Sequence, residues 1–189
     1  MIRIGVVLGS TRPGRRGKDV ADWVMRRTEG RQDAVYELID LADHPLPHLD
    51  EPNQPSLELY TKQHSHEWSQ VISRFDGFVF VTPEYNHAVP GVLKNAIDFL
   101  YTEWNDKAAG FVGYGTVGAA RAVEQLRLIA AGVDMATVRA QVALSLFTDF
   151  RERTAFDPAP SAERALDTVL DRVVAWSGAL KSVREASAS

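Results

Sequence analysis

The stretch Phe78-Val79-Phe80-Val81-Thr82-Pro83-Glu84-Tyr85-Asn86-His87-Ala88-Val89-Pro90-Gly91 decides the fold of this chain. Four consecutive apolar residues bounded by turn formers read as a short strand buried on both faces, as in a parallel sheet. Two prolines and a glycine then make a stiff loop, and a helical pattern follows from Val92 to Leu100. In an open α/β sheet, ligands bind outside the carboxyl ends of the strands, which is where this loop lies. Its backbone groups and the Tyr85 ring suit the border of a flat heterocycle.

On either side of this stretch, apolar runs alternate with helix-period runs, the pattern of parallel βαβ units. Strands are expected at Ile2–Leu8, Val35–Ile39, Gly77–Thr82, Ala108–Gly113 and about Thr137–Leu144. Helices are expected at about Gly17–Thr28, around Trp68, Val71, Ile72 and Phe75, at Gly91–Tyr101, at about Val117–Ala131, and after Pro160 with Ser161 as N-cap. The last helix would bury Leu166, Val169, Leu170, Val173 and Leu180. Five strands and five helices suit one domain over residues 1–189. The expected architecture is a flavodoxin-like, doubly wound, five-stranded parallel sheet of order 2-1-3-4-5 in a three-layer α/β/α sandwich. Two loops are long: Asp40–Gln63, with Pro45, Pro47, Pro52 and Pro55, and Thr148–Pro160. Such loops commonly form lids or partner contacts.

The composition excludes several classes. The 189 residues are 45% apolar and 24% charged, and the net charge of −4 gives no pull toward nucleic acid or anionic membrane. No apolar run approaches the roughly 18–20 residues that span a bilayer. The apolar part of Met1–Leu8 is too short for a signal peptide. With no cysteine there is no disulfide, thiolate metal site or cysteine nucleophile, so redox chemistry must come from a bound cofactor. A cytoplasmic protein is expected.

After the first strand comes Gly9-Ser10-Thr11-Arg12-Pro13-Gly14-Arg15-Arg16-Gly17-Lys18. Glycines and a helix N-terminus turn N–H groups toward an anion, Ser10 and Thr11 add hydroxyls, and arginines suit phosphate. A Walker A loop needs glycine at Arg12 and Ser/Thr at Asp19, so that motif is absent. Gly113-Tyr114-Gly115-Thr116-Val117-Gly118 matches G-x-G-x-x-G, yet it follows the fourth strand, and the next strand ends without a carboxylate. A dinucleotide fingerprint belongs after the first strand, so this is read as a tight loop against a ligand, with Thr116 capping the helix. The loops after strands one, three and four converge on one crevice. A phosphate cradle and two backbone-rich walls suit FMN better than a free phosphate or sugar.

Together Gly9-Ser10-x-Arg12, Pro83-Glu84-Tyr85-Asn86 with Pro90-Gly91-x-Leu93-Lys94-Asn95-Ala96-Ile97-Asp98, and Gly113-Tyr114-Gly115 resemble the NADPH-dependent FMN reductases. That family includes quinone, azo-dye and chromate reductases, and the resemblance runs from the first strand to about Leu144. It implies tightly held FMN, NADPH or NADH as reductant, small electron acceptors, and a homodimer or homotetramer with flavin near the interface. By position, Ser10, Arg12, Arg16 and Gly17 would hold the phosphate. Pro83, Glu84, Tyr85 and Asn86 would border the isoalloxazine, and Gly113, Tyr114, Gly115 and Thr116 would lie along its other side. Arg15 departs from the family, where many members have serine, so Arg15 or Arg16 takes over that contact.

The expected chemistry is a ping-pong hydride transfer through flavin N5, with backbone N–H groups of Asn86–Val89 facing the N1–C2=O edge and no catalytic side chain required. His87 is the one histidine in the specific loop, and it reads either as loop packing or as a proton donor. Lys94, Asn95 and Asp98 read as supports behind the loop or as interface contacts. The alternative is a non-enzymatic electron carrier of the flavodoxin type; the arginine-rich loop and the modest charge disfavour it. A phospho-receiver would need acidic residues where Gly9-Ser10 and Thr82-Pro83 stand.

Overall fold

A computed structural model describes residues 1–187. Five parallel strands form one sheet: β1 (Ile2–Leu8), β2 (Ala34–Asp40), β3 (Gly77–Pro83), β4 (Ala108–Gly115) and β5 (Ala136–Ser145). Their order is β2-β1-β3-β4-β5, and every pair is parallel. Helices α1 (Gly17–Thr28), α2 (Gln63–Ser73), α3 (Gly91–Asp98), α4 (Ala120–Gly132) and α5 (Pro160–Ser187) cover both faces. This is the flavodoxin-like α/β/α sandwich.

The alternation of side chains along β3 explains why its run is continuously apolar. Val79 and Val81 point toward α1 and α5, where they meet Val20, Val24, Leu166 and Val169. Phe78 and Phe80 point to the opposite face, among Trp68, Ile97, Trp104 and Phe111. A strand with helices on both sides has no solvent face, so period-2 polarity disappears.

Several boundaries differ from the sequence expectation. Helix α3 ends at Asp98 rather than Tyr101, because the chain turns to bury Phe99, Leu100 and Trp104. The Trp104 indole N–H donates to the Ile97 carbonyl at 3.1 Å and stitches that turn to the helix. Phe75 is buried but lies two residues past the end of α2. Ser161 does not cap α5, since Pro160 already occupies the first helical position, where its missing N–H costs nothing. Leu180 is only partly buried.

Helix α4 begins at Ala120, not Val117, and Thr116 does not cap it. The reason is Gly118, at φ +63°, where a Cβ would stand 2.7 Å from that of Ala143. The chain must make this close turn before a helix can start, and Ala119 follows in the left-handed region at φ 55°.

Residues 148–160 are a long loop by sequence, and the structure adds regular elements to it. They contain a small antiparallel hairpin, β6 (Phe150–Arg151) and β7 (Ala155–Phe156). It is held down by Phe156, whose ring lies 5.1 Å from Phe150 and 5.5 Å from Trp23 of α1. The segment 41–62 is pinned by Asn95, whose amide donates to the Pro47 carbonyl and accepts the Leu49 N–H. Asn95 therefore supports that loop, while Lys94 pairs with Asp98 on its own helix.

Candidate functional site

A cavity of about 500 Å3 opens at the carboxyl ends of β1, β3 and β4. Arg12, Arg16, Pro83, Glu84, Tyr85, Tyr114, Gly115 and Thr116, all expected from the sequence, line it. Ser10, Gly17 and Gly113 do not line the cavity and are buried. Asn86 opens on an adjoining recess of about 430 Å3, shared with Arg12, Glu84 and Tyr85. Leu146, before the hairpin, and Thr154, in its turn, add to the lining, with Pro13, Gly14, Arg15 and Asp19 from the first loop and α1.

The first loop leaves β1 with the Gly9 N–H on the Val81 carbonyl, 2.8 Å away. Ser10 is fully buried, and its hydroxyl lies 3.2 Å from that of Tyr114. Burial pushes the Tyr114 hydroxyl up to about 12, against a smaller opposing effect of the Ser10 hydrogen bond, so the group stays protonated. Gly17 allows this contact, because a Cβ there would collide with the Tyr114 hydroxyl. The N–H groups of Thr11, Arg12 and Arg16 meet no protein acceptor among the described residues.

The three arginines of this loop do different things. Arg15 ion-pairs with Asp40 at the end of β2, and its other arm donates to the Ser10 carbonyl at 2.5 Å. Arg12 and Arg16 have no carboxylate partner among the described residues, and both stand on the cavity wall. Two guanidinium groups are thus without an ion pair at the amino end of α1, where the helix dipole favours an anion, and Asp19 of the first helical turn is the one carboxylate of α1 on the same wall.

The β3 loop closes as a tight turn in which Tyr85 and Ala88 exchange both backbone hydrogen bonds at 3.0 Å. Asn86 and His87, at its corners, have φ of 50° and 72°. Asparagine and histidine are among the residues that tolerate this region. The Ala88 N–H is consumed by this turn, and the Val89 N–H faces Gln125 Oε1 at 3.4 Å. Of the four N–H donors expected from Asn86–Val89, those of Asn86 and His87 remain.

Helix α4 grips the same loop from behind. Glu84 accepts the Arg121 N–H at 3.0 Å and the Arg121 Nε at 2.7 Å. Arg121 Nη1 also lies 3.1 Å from His87 Nδ1, and Gln125 donates to the His87 carbonyl at 3.0 Å. A guanidinium can only donate, so in this contact Nδ1 is the acceptor. Glu84 borders the cavity, but its carboxylate serves α4. Arg121, Gln125 and Asp40 were not found from the sequence, since each acts through a contact distant in sequence.

Residues 2–149 match the family of NADPH-dependent FMN reductases. The chain belongs to that family. An NAD(P)H-dependent FMN reductase from Schizosaccharomyces pombe is 39% identical over 159 residues, covering 83% of this chain and 80% of the relative. A 2-hydroxy-1,4-benzoquinone reductase from Burkholderia is 27% identical over 184 residues, covering 93% and 96%. Among solved structures, the flavoenzyme NAD(P)H:(acceptor) oxidoreductase FerB from Paracoccus denitrificans superposes with a TM-score of 0.71. At 23% identity, over 94% of this chain and 98% of that one, it shows the same fold. As a member of the NADPH-dependent FMN reductases, the chain is an oxidoreductase with FMN as cofactor and NAD(P)H as reductant.

The residues present fit that cofactor. Free N–H groups and two unpaired guanidinium groups stand at one end of the cavity, and backbone from the ends of β3 and β4 walls the other. Its volume lies within the range of small-molecule sites, roughly 300–1,000 Å3.

Proposed function

We propose that this FMN reductase carries reducing equivalents from NAD(P)H to quinone-like, azo or other small acceptors, or to free flavin, by a ping-pong cycle. The observation that carries this reading is the meeting, in one cavity, of the unpaired Arg12 and Arg16 with backbone walls from β3 and β4. FMN, when bound, supplies hydride acceptance and return at N5, chemistry that no side chain here offers.

The chain's own residues bind and orient. Arg12 and Arg16 hold the phosphate together with the free N–H groups of the loop, and the buried Ser10 and Gly17 shape the loop that presents them. Pro83, Glu84, Tyr85 and Asn86 border the isoalloxazine through backbone and ring, and Tyr114, Gly115 and Thr116, carried on the buried Gly113, form the facing wall. The N–H groups of Asn86 and His87 are the donors left for negative charge at the N1–C2=O edge. His87 orients the turn through Arg121 rather than delivering a proton from Nδ1.

The recess beside Arg12 and Asn86 offers one place for a planar reactant, so reductant and acceptor use it in turn. The Burkholderia relative, named for a benzoquinone, supports a quinone-like acceptor.

Initial rates with NADPH and 1,4-benzoquinone both varied test the cycle. Parallel double-reciprocal lines are expected, and intersecting lines would contradict ping-pong turnover. No NADPH oxidation with any quinone, azo compound or free flavin would overturn the reading as a whole.

A further inference from the structure

The Arg15–Asp40 pair stands apart from the other ion pairs at the surface. Both side chains are only 14% exposed, and each makes a second hydrogen bond besides the pair itself. Asp40 takes the Arg15 guanidinium on one oxygen and the Ala42 N–H, at 2.9 Å, on the other. Arg15 spends its second arm on the Ser10 carbonyl at 2.5 Å. Asp40 is fixed in place by the sheet, since it pairs in register with Leu8, two residues before Ser10. A rigid strand end therefore grips the loop that leaves its neighbouring strand.

Two consequences follow from this geometry. Arg15 lines the cavity with its two terminal nitrogens tied to Asp40 and to the Ser10 carbonyl, which fixes its guanidinium against the end of β2. The Ser10 carbonyl is held by a charged donor, which fixes the peptide that leads into Thr11 and Arg12. We propose that Asp40 is a positioning residue of the phosphate site. Acting through Arg15, it sets the Ser10 peptide and leaves Arg12 and Arg16 as the phosphate's cationic contacts. The proposal rests on the reading of this cavity as the FMN site.

The test exploits a neutral exchange. The double variant Arg15→Met/Asp40→Asn removes the clasp and leaves the local net charge unchanged. Binding of FMN and of riboflavin to the apoprotein is measured by quenching of flavin fluorescence across ionic strength. FMN binding should weaken about ten-fold, the scale of re-ordering a loop and its side chains on binding. Riboflavin binding should be unchanged, and the salt dependence of FMN binding should match that of the parent, whereas Arg12→Met and Arg16→Met should flatten it. Should the double variant fail to fold, Arg15→Lys carries the same test. Its ammonium keeps the charge but cannot span both partners as a planar fork. It should weaken FMN binding about three-fold or more, with the salt dependence intact.

Double-variant binding within two-fold of the parent overturns the proposal. So does a flattened salt dependence in Arg15→Met matching that of Arg12→Met, because Arg15 would then touch the phosphate directly. A parent protein that takes up no FMN overturns the reading of the site itself, and the clasp with it.

Discussion

The Glu84 carboxylate caps helix α4 from outside it, accepting the Arg121 N–H at 3.0 Å while pairing with the Arg121 side chain. Arg121 is the second residue of that helix, the position whose N–H an N-cap side chain normally takes. Ala119 at the cap position has no side-chain acceptor, so the cap comes from a loop 37 residues earlier. Helix start and flavin-side loop are thereby one unit. Replacing Glu84 by Ala should cost about 0.5–2 kcal/mol of stability, the range for a lost cap. Urea unfolding measures it, and a cost indistinguishable from zero would show that the cap does not matter.

In the proposed phosphate site Arg12 and Arg16 carry the charge. Arg12→Met and Arg16→Met should each weaken FMN binding by about ten- to a hundred-fold, as a lost charge-assisted hydrogen bond of about 1.5–3 kcal/mol implies. Riboflavin, which lacks the phosphate, should bind the variants as it binds the parent. Equilibrium titration of both flavins distinguishes a phosphate contact from general damage.

Gly17→Ala tests the packing beneath the loop. The added methyl must displace the Tyr114 hydroxyl from its place beside Ser10. Overpacking a site of this kind costs about 1–3 kcal/mol, so thermal unfolding should shift down and FMN uptake should fall. A variant of parental stability and affinity would show that the Ser10–Tyr114 contact is dispensable.

Lys107 sets a pH dependence remote from the cavity. It lies just before β4, 4% exposed, with Nζ donating to the Ile72 carbonyl at 3.1 Å. Burial, reinforced by the Arg184 charge and opposed by Asp76 and Glu103, pushes its ammonium down from 10.5 to about 7. The unfolded chain therefore holds a proton between about pH 7 and 10.5 that the folded protein has lost. Stability should rise with pH across that window, and the penalty is fully present below it. Lys107→Met should flatten this rise in denaturant unfolding curves taken from pH 6 to 10. An unchanged pH profile would contradict it.

The sheet was legible because β3 and β1 carry continuous apolar runs and the loops after them carry turn chemistry. The phosphate loop was legible for a similar reason, since glycines and arginines cluster within ten residues. What escaped depends on contacts between distant segments. Nothing local marks Asp40 as the partner of Arg15, or Arg121 as the partner of Glu84. Thr116 reads as a cap until Gly118 is seen to pack on Ala143, which delays the helix. The hairpin at Phe150–Phe156 has hydrogen bonds of its own turn, but it is seated by Trp23, more than a hundred residues away. Arg15 stood among three candidate cations, and only the end of a neighbouring strand shows that it is already paired.

The central claim is that this cavity holds FMN that NAD(P)H reduces. The absorbance spectrum of the purified, FMN-reconstituted protein under argon tests it most directly. Addition of NADPH should bleach the flavin bands, and addition of 1,4-benzoquinone should restore them. A protein that retains no flavin after desalting, or whose bands stay unchanged with both NADPH and NADH, would contradict the account.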